Sequence, residues 1–277
     1  MRFWVSHQGG LVDADDARVS VLDHGFTVAD GVFETLKVAD GSAFALTRHV
    51  DRLERSAAVM GLPAPDRAQV ITAVHETVEA NAPVLGALGR LRITYTAGDA
   101  PLGSDRGETG PTLVVAISGM KPWPESAAVI TVPWPRNERS PLAGVKSTSY
   151  AENVLALARA HEHGAGEALM PDTQGRLCEG TGSNVFLVLD GRLITPSLAT
   201  GCLAGVTRDL VLKWSGAIEV DVPMSALAEA EEIFITSSTR DVQPVHRVDS
   251  RSLAAPGPVT TAVREDFLLR ASADVDP

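Results

Sequence analysis

An α+β fold is predicted for this chain, on three observations. Period-two runs rich in β-branched residues and runs of helical period are both present. They follow one another irregularly rather than as a strict strand–helix–strand series. Two Asp-Gly pairs lie between β-favouring runs, which is the signature of antiparallel hairpins.

The elements follow in order. "GVFETLKVADGSAFAL" is predicted as a hairpin turning at Asp40-Gly41. "TRHVDRLERSAAVMGL" is predicted as a helix with Thr47 as its N-cap, Val50, Leu53, Ala57 and Met60 on one face, and Gly61 at its end. "DRAQVITAVHETVEANA" gives a second amphipathic helix. Two strands, "GRLRITYTAG" and "PTLVVAIS", are joined by the glycine-rich loop "DAPLGSDRGETG". A proline- and tryptophan-dense stretch follows, and Gly119–Pro124 within it is read as a linker. Beyond it come a helix in "SYAENVLALARAHEHG", a hairpin in "NVFLVLDGRLITP", a helix opened by "GVTRDLVLKW", a strand "EEIFITSST" and a C-terminal helix "TAVREDFLLRA". The chain shows no internal repeats, coiled-coil heptads or low-complexity tracts.

A length of 277 residues suits one large or two modest domains at roughly 100–200 residues each. The expected division is a small N-terminal domain over 1–118, a linker over 119–124 and a larger domain over 125–277. Hydrophobic residues make up 44% of the chain, enough for a sizeable core, and no apolar run approaches the roughly 20 residues of a membrane span. "MRFWVSHQGG" lacks the pattern of a secretory signal. Two cysteines, Cys178 and Cys202, are too few for a disulfide framework and agree with a reducing cytoplasm. A formal charge of −11 argues against nucleic acid or an anionic membrane surface as the main partner. A small anionic ligand remains compatible where positive groups converge.

Four lysines occur in all, Lys37, Lys121, Lys146 and Lys213. Lys146 follows the small apolar run Leu-Ala-Gly-Val and precedes "STSY". It reads either as a solvated charge after a proline-rich loop or as an amine kept for covalent chemistry. In "GCLAGVTRDLVLKW", Gly201 and Gly205 allow tight turns before a helix begins. The first helix amides lack internal partners and carry the positive end of the dipole, so the amides of Val206 and Thr207 with the Thr207 hydroxyl suit a phosphate. The same segment also reads as an ordinary threonine cap, and it is not a Walker sequence. Glu179, in "LCEGTGSNVFLV", precedes a glycine-rich turn and an apolar strand, an unusual place for a carboxylate without a cationic partner; a turn glutamate facing water is the alternative. "ITSSTRDVQP" ends a strand in hydroxyl residues, Ser238 and Thr239 among them, followed by Arg240. An imine-forming lysine, a phosphate cup, an acid for a ring nitrogen and hydroxyl donors together describe one cofactor, pyridoxal 5′-phosphate.

The chain resembles the fold type IV (class IV) pyridoxal-phosphate enzymes: branched-chain and D-amino acid aminotransferases, (R)-amine transaminases and aminodeoxychorismate lyases. The resemblance runs nearly end to end, through "DHGFTVADGVFETLKV", "RHVDRLERSA", "GVKSTSYAENVLALA", "EGTGSNVFLV", "LAGVTRD" and "ITSSTRDVQPV". It implies a small N-terminal α/β domain, a larger C-terminal domain with a β-barrel-like core, the cofactor between them, and a homodimer that shares a loop across its active sites. By the same resemblance Lys146 is the Schiff-base lysine and Glu179 pairs with the protonated pyridine nitrogen. Arg52, Val206, Thr207 and Ser238 hold the phosphate. Tyr150 approaches the phenolic oxygen, although branched-chain aminotransferases carry their tyrosine one residue further from the lysine. Phe33, Arg92 and Tyr95 are expected near the substrate with Thr239, and Arg106 or Arg240 is expected to grip a carboxylate; each arginine also reads as an ordinary surface charge. His24, His49 and Cys178 are assigned no chemistry.

The expected reaction moves an amino group between an amino acid or amine and a 2-oxo acid. The alternative is release of pyruvate from 4-amino-4-deoxychorismate, since "RLRITYTAGDAPLGSDRGE" and "TRDVQPVHRVD" are similar to chains of that lyase. "KSTSYAEN" lacks the Lys-His-Leu-Asn-Arg pattern of some such lyases. A non-catalytic binder of phosphate ligands is the remaining reading.

Overall fold

A computed structural model describes residues 1–277. Backbone contacts divide the chain into two compact units. The first comprises Met1–Pro122 with Val145–Ser149 and Val275–Pro277; the second comprises Trp123–Gly144 and Tyr150–Asp274. Two short segments from later in the chain therefore belong to the first unit, Lys146 among them.

The first unit is built on a six-stranded antiparallel sheet. Its order is Gly10–Asp13, Arg2–Val5, Thr112–Gly119, Leu88–Thr96, Gly31–Ala39 and Ser42–Ala43. Asp40 and Gly41 both have left-handed backbone (φ +49° and +75°), the pairing that a two-residue hairpin needs to match strand twist. Along Gly31–Ala39 the side chains alternate, so Val32, Leu36 and Val38 enter the core. The helices Leu46–Val59 and Arg67–Leu85 supply the other wall of that core, with Val50, Leu53 and Ala57 fully buried at helical spacing. Burying a leucine such as Leu53 contributes about 1.5–3 kcal/mol. Rotated one residue from this apolar row lies a polar one, His49, Arg52 and Ser56, also buried. One helix thus serves both core and site.

Thr47 is not the cap of that helix. Ala45 is the N-cap residue, in left-handed conformation and with no side-chain cap bond. Thr47 lies one step inside the helix, where its hydroxyl meets a distant carboxylate instead.

The second unit carries a nine-stranded mixed sheet. Its main path runs Ile218–Glu219, Arg192–Thr195, Asn184–Leu189, Glu232–Ser237, Asp241–Val248, Ala127–Thr131, Glu167–Pro171 and Leu177–Gly180, with Arg251–Ser252 pairing on Asp241–Val248. The last strand of the path joins the third by the three-residue turn 181–183, with Gly180 N donating to Ser183 O at 2.7 Å. The sheet therefore curls back on itself. Phe186 and Phe234 lie directly opposite in register and stack at 4.8 Å, while Val185, Leu187, Ile233 and Ile235 fill the core of the opposite face. Both faces are apolar because the helices Val206–Ser215 and Pro258–Ala273 pack on Glu232–Ser237. The strands Ala127–Thr131 and Glu167–Pro171 are absent from the sequence expectation; they pair with each other in parallel, and the hairpin that joins Glu167–Pro171 to Leu177–Gly180 turns without an Asp-Gly or Asn-Gly pair.

No helix is long and apolar enough to cross a membrane.

Candidate active site

The expected site residues fall into two groups, one in each unit.

In the first unit, Lys146 is half-buried and lies on a short segment that runs beside Gly31–Ala39. Phe33 N donates to Lys146 O at 2.9 Å, Thr148 N donates to Gly31 O at 2.8 Å, and Thr148 Oγ1 donates to Ala29 O at 2.8 Å. Lys146 N reaches Ser56 Oγ at 3.4 Å. The backbone fixes the lysine, and its Nζ stands 4.3 Å from the centre of the Phe33 ring. The Arg92 guanidinium lies 3.7 Å from the same ring centre.

Below this pair sits a fully buried carboxylate that the sequence reading passed over. Glu34 accepts from Arg52 Nε at 2.8 Å and from Arg52 Nη2 at 2.7 Å, a two-pronged contact. It also lies 2.6 Å from His49 Nδ1. Burial alone would raise the Glu34 carboxyl, but the Arg52 charge and the bonds from Arg52 and His49 outweigh it and bring it down to about 2. His49 moves down as well, because burial outweighs the attraction of Glu34, and the Arg52 and Lys146 charges push the same way. The ring is therefore neutral at pH 7, and Nδ1 carries the proton that Glu34 accepts.

Both groups make stability fall on acidification. The unfolded chain takes up a proton at His49 below about 6.5 that the folded chain resists. The Glu34 contribution is complete above about 4.5 and is lost as pH falls from there toward 2. Urea midpoints measured between about pH 8 and pH 4 are expected to drop steadily below 6.5, and Glu34→Gln, His49→Gln chains should show a flatter profile. Equal slopes in parent and variant would assign the drop to other groups.

In the second unit, Glu179 is buried on Leu177–Gly180. Its Oε1 accepts from Arg136 Nε at 3.1 Å and its Oε2 from Leu203 N at 2.9 Å. Arg136 also reaches Asn153 Oδ1 at 3.3 Å, and Asn153 Nδ2 donates to Thr181 O at 2.6 Å. The segment that caps Glu179 leads directly into the helix start at Val206. Asn184 ties it down: Nδ2 donates to Leu203 O at 2.8 Å, and a Cβ on Gly205 would come within 2.0 Å of Asn184 Oδ1. Gly205 is the N-cap residue and offers no side-chain cap to the helix that the buried Val206 and Thr207 begin. Asn184 also pairs in register with Thr236, two residues before Ser238 and three before Thr239. Glu179, Val206 and Thr207 are thereby linked through one residue, Asn184, which the sequence reading quoted but did not assign.

The remaining expected residues have occupations of their own. Tyr95 is buried in the first core and donates to Pro63 O at 3.1 Å. Arg106 holds Asp30 with two bonds of 2.7 Å and the carbonyls of Gly61 and Met60 at 2.7 and 2.8 Å. Arg240 stands 3.7 Å from the Trp123 ring centre and bonds Gln243 Oε1 and Gly166 O. Tyr150 is half-buried at the N-cap of Ala151–Glu162. Cys178 is buried and donates to Thr200 O, with burial and the Glu179 charge pushing its thiol upward, so it is not a ready nucleophile. Arg136, Glu34 and Asn184 carried no local signal; each acts through a partner distant in sequence.

The α+β fold with a curled second sheet is that of the fold type IV aminotransferases. The model of the family "Amino-transferase class IV" matches residues 31–248, and the chain belongs to that family. It is 36% identical to a putative branched-chain-amino-acid aminotransferase of Methanocaldococcus jannaschii, over 94% of this chain and 93% of that one. It is 30% identical to a D-alanine aminotransferase of Bacillus licheniformis, over 94% of both chains. Among solved structures it is similar to the branched-chain aminotransferase of Thermoproteus uzoniensis with norvaline (TM-score 0.89, 29% identity, 97% of this chain and 93% of that one). It is also similar to a hypothetical aminotransferase of Mycobacterium tuberculosis in its PLP-bound form (TM-score 0.88, 26% identity, 100% of each). The chain is an aminotransferase, and amino acids and 2-oxo acids are its substrate class.

Proposed function

We propose that this chain binds pyridoxal 5′-phosphate through Lys146 and transfers the amino group of a branched-chain L-amino acid to 2-oxoglutarate. The observation that carries the reading is Lys146, held by its backbone with Nζ beside the Phe33 ring; in the second unit, the helix start at Val206 without a side-chain cap supports it. That start suits a phosphate: a side chain at Gly205 would collide with Asn184, and the bare amides donate to an anion. When bound, the cofactor supplies an aldehyde for amine condensation and an electron-withdrawing ring. Lys146 Nζ then takes the proton from the substrate α-carbon and returns it, as base and then acid. Glu179 accepts from the pyridine nitrogen, with Arg136 and the Leu203 amide fixing its orientation. Arg52, oriented by Glu34, supplies charge to the phosphate alongside Val206, Thr207 and Ser238. Tyr150 is assigned to the cofactor's phenolic oxygen. Phe33 and Arg92 shape the substrate side with Thr239. Tyr95, Arg106 and Arg240 are assigned to the same substrate side, Arg106 or Arg240 for a carboxylate.

The donor assignment follows the relative at 36% identity, and the acceptor follows a Mycobacterium tuberculosis relative solved in an alpha-ketoglutarate and PMP bound form (TM-score 0.85, 27% identity, 98% of each chain). The chain is further proposed to work as a cytoplasmic homodimer. The exposed apolar side chains of Val21 and Phe26, each 74% accessible, and of the nearby Val19, Leu22 and Val28 support a subunit interface. Two free cysteines suit a reducing compartment.

The test is a donor panel with 2-oxoglutarate: L-leucine, D-alanine and (R)-1-phenylethylamine, with 4-amino-4-deoxychorismate assayed alongside. Glutamate formed fastest from L-leucine is the expected result. A preference for D-alanine would overturn the donor assignment, and 4-aminobenzoate as the main product would overturn the transfer reaction.

A further inference from the structure

The helix Leu46–Val59 carries His49, Arg52 and Ser56, yet its own sequence gives it no N-terminal cap. Ala45 has only a methyl group and sits in left-handed backbone at φ +54°. The first turn is closed from the far end of the chain. Asp276 Oδ1 accepts from Thr47 N at 2.9 Å, and Asp276 Oδ2 accepts from Thr47 Oγ1 at 2.6 Å. Ala45 N donates to Val275 O at 2.7 Å, and Arg48 Nε donates to Pro277 O at 2.5 Å. Thr47 is the second residue of the helix, so its amide is one that a good N-cap side chain would satisfy. A carboxylate at this end also favours the helix dipole. The fold uses the same device elsewhere: Glu232 accepts from Val259 N and Thr260 N at 3.0 and 2.7 Å, capping Pro258–Ala273 after an N-cap glycine.

We infer that Asp276 is a positioning residue for the active site, acting as a remote cap that holds the first turn of the helix bearing His49 and Arg52. The linkage is short. His49 N makes the first bond of the helix to Ala45 O at 3.1 Å, and the His49 ring meets Glu34, the carboxylate that orients Arg52. A frayed first turn displaces His49 and loosens the Glu34–Arg52 pair. The effect on cofactor retention rests on the assignment of Arg52 to the phosphate; the effect on the helix does not.

The test compares the parent holoenzyme with Asp276→Ala, Asp276→Asn and Arg52→Ala. Amide exchange at the start of Leu46–Val59 should be about five- to thirty-fold faster in Asp276→Ala, the range for loss of a cap. Asp276→Asn keeps an acceptor oxygen and should restore the parent rate. In Asp276→Ala, pyridoxal phosphate should leave several-fold faster on dialysis, read from its absorbance, while kcat at saturating cofactor stays near the parent value. Unchanged exchange in Asp276→Ala, or a failure of Asn to restore it, overturns the remote cap. Faster exchange with unchanged cofactor loss overturns the link to the site. Arg52→Ala that keeps the cofactor as well as the parent does would instead sink the phosphate assignment of Arg52.

Discussion

Lys146→Ala is expected to lower transamination by at least about 10³-fold, because in the proposed role one amine is covalent anchor, base and acid, and a positioned acid–base alone contributes 10²–10⁴-fold. The variant should still fold. The segment holding Lys146 is fixed by its backbone, through Phe33 N, Thr148 N and the Ser56 hydroxyl, and none of these bonds involves the amine. Thermal unfolding near that of the parent, together with lost turnover, is therefore the signature. Lys146→Arg should fail equally, since a guanidinium does not give up its proton or condense with an aldehyde under working conditions. Turnover within tenfold of the parent in either variant would remove Lys146 from the chemistry.

Glu34→Gln carries the largest expected effect on stability. Glu34 and Arg52 are both buried, and losing one charge leaves the other without its partner in a low-dielectric site. Breaking such a pair costs about 3–5 kcal/mol. For a chain of this size that is a fall in melting temperature of roughly 5–15 °C. His49 would lose its carboxylate acceptor at the same time. Pairing Glu34→Leu with Arg52→Met removes both charges and should recover part of the loss, because apolar replacement of a complete pair is far less costly than half of one. A single variant that melts with the parent, or a double variant worse than the sum of its parts, would contradict the buried pair.

Much of the architecture is written locally in the chain. The turns at Asp40-Gly41 and Asp190-Gly191 are legible because left-handed backbone in both residues of each is a property of the dipeptide itself. The row Val50, Leu53, Ala57 is legible because helical period needs no partner to be seen. Lys146 and Glu179 stand out by residue type against their surroundings. What orients them does not. Arg136 meets Glu179 across 43 residues, Arg52 meets Glu34 across 18, and Asp276 meets Thr47 across 229. Each pairing is decided by tertiary packing, so the sequence offers a carboxylate or a guanidinium without its mate. Thr47 shows how this misleads: a good capping residue in a good capping position is itself one step inside the helix, and the backbone elects Ala45.

The first unit is not contiguous in the chain. Val145–Ser149 and Val275–Pro277 belong to it, although more than a hundred residues of the second unit are made between them. A ribosome delivering this protein makes Met1–Pro122 early, but the stretch that lies beside Gly31–Ala39 emerges later and the Asp276 carboxylate that meets Thr47 later still. Vectorial synthesis therefore cannot finish the earlier half before the later one, and a polypeptide cut at Pro122 lacks both Lys146 and the Asp276 carboxylate that meets the first turn of Leu46–Val59.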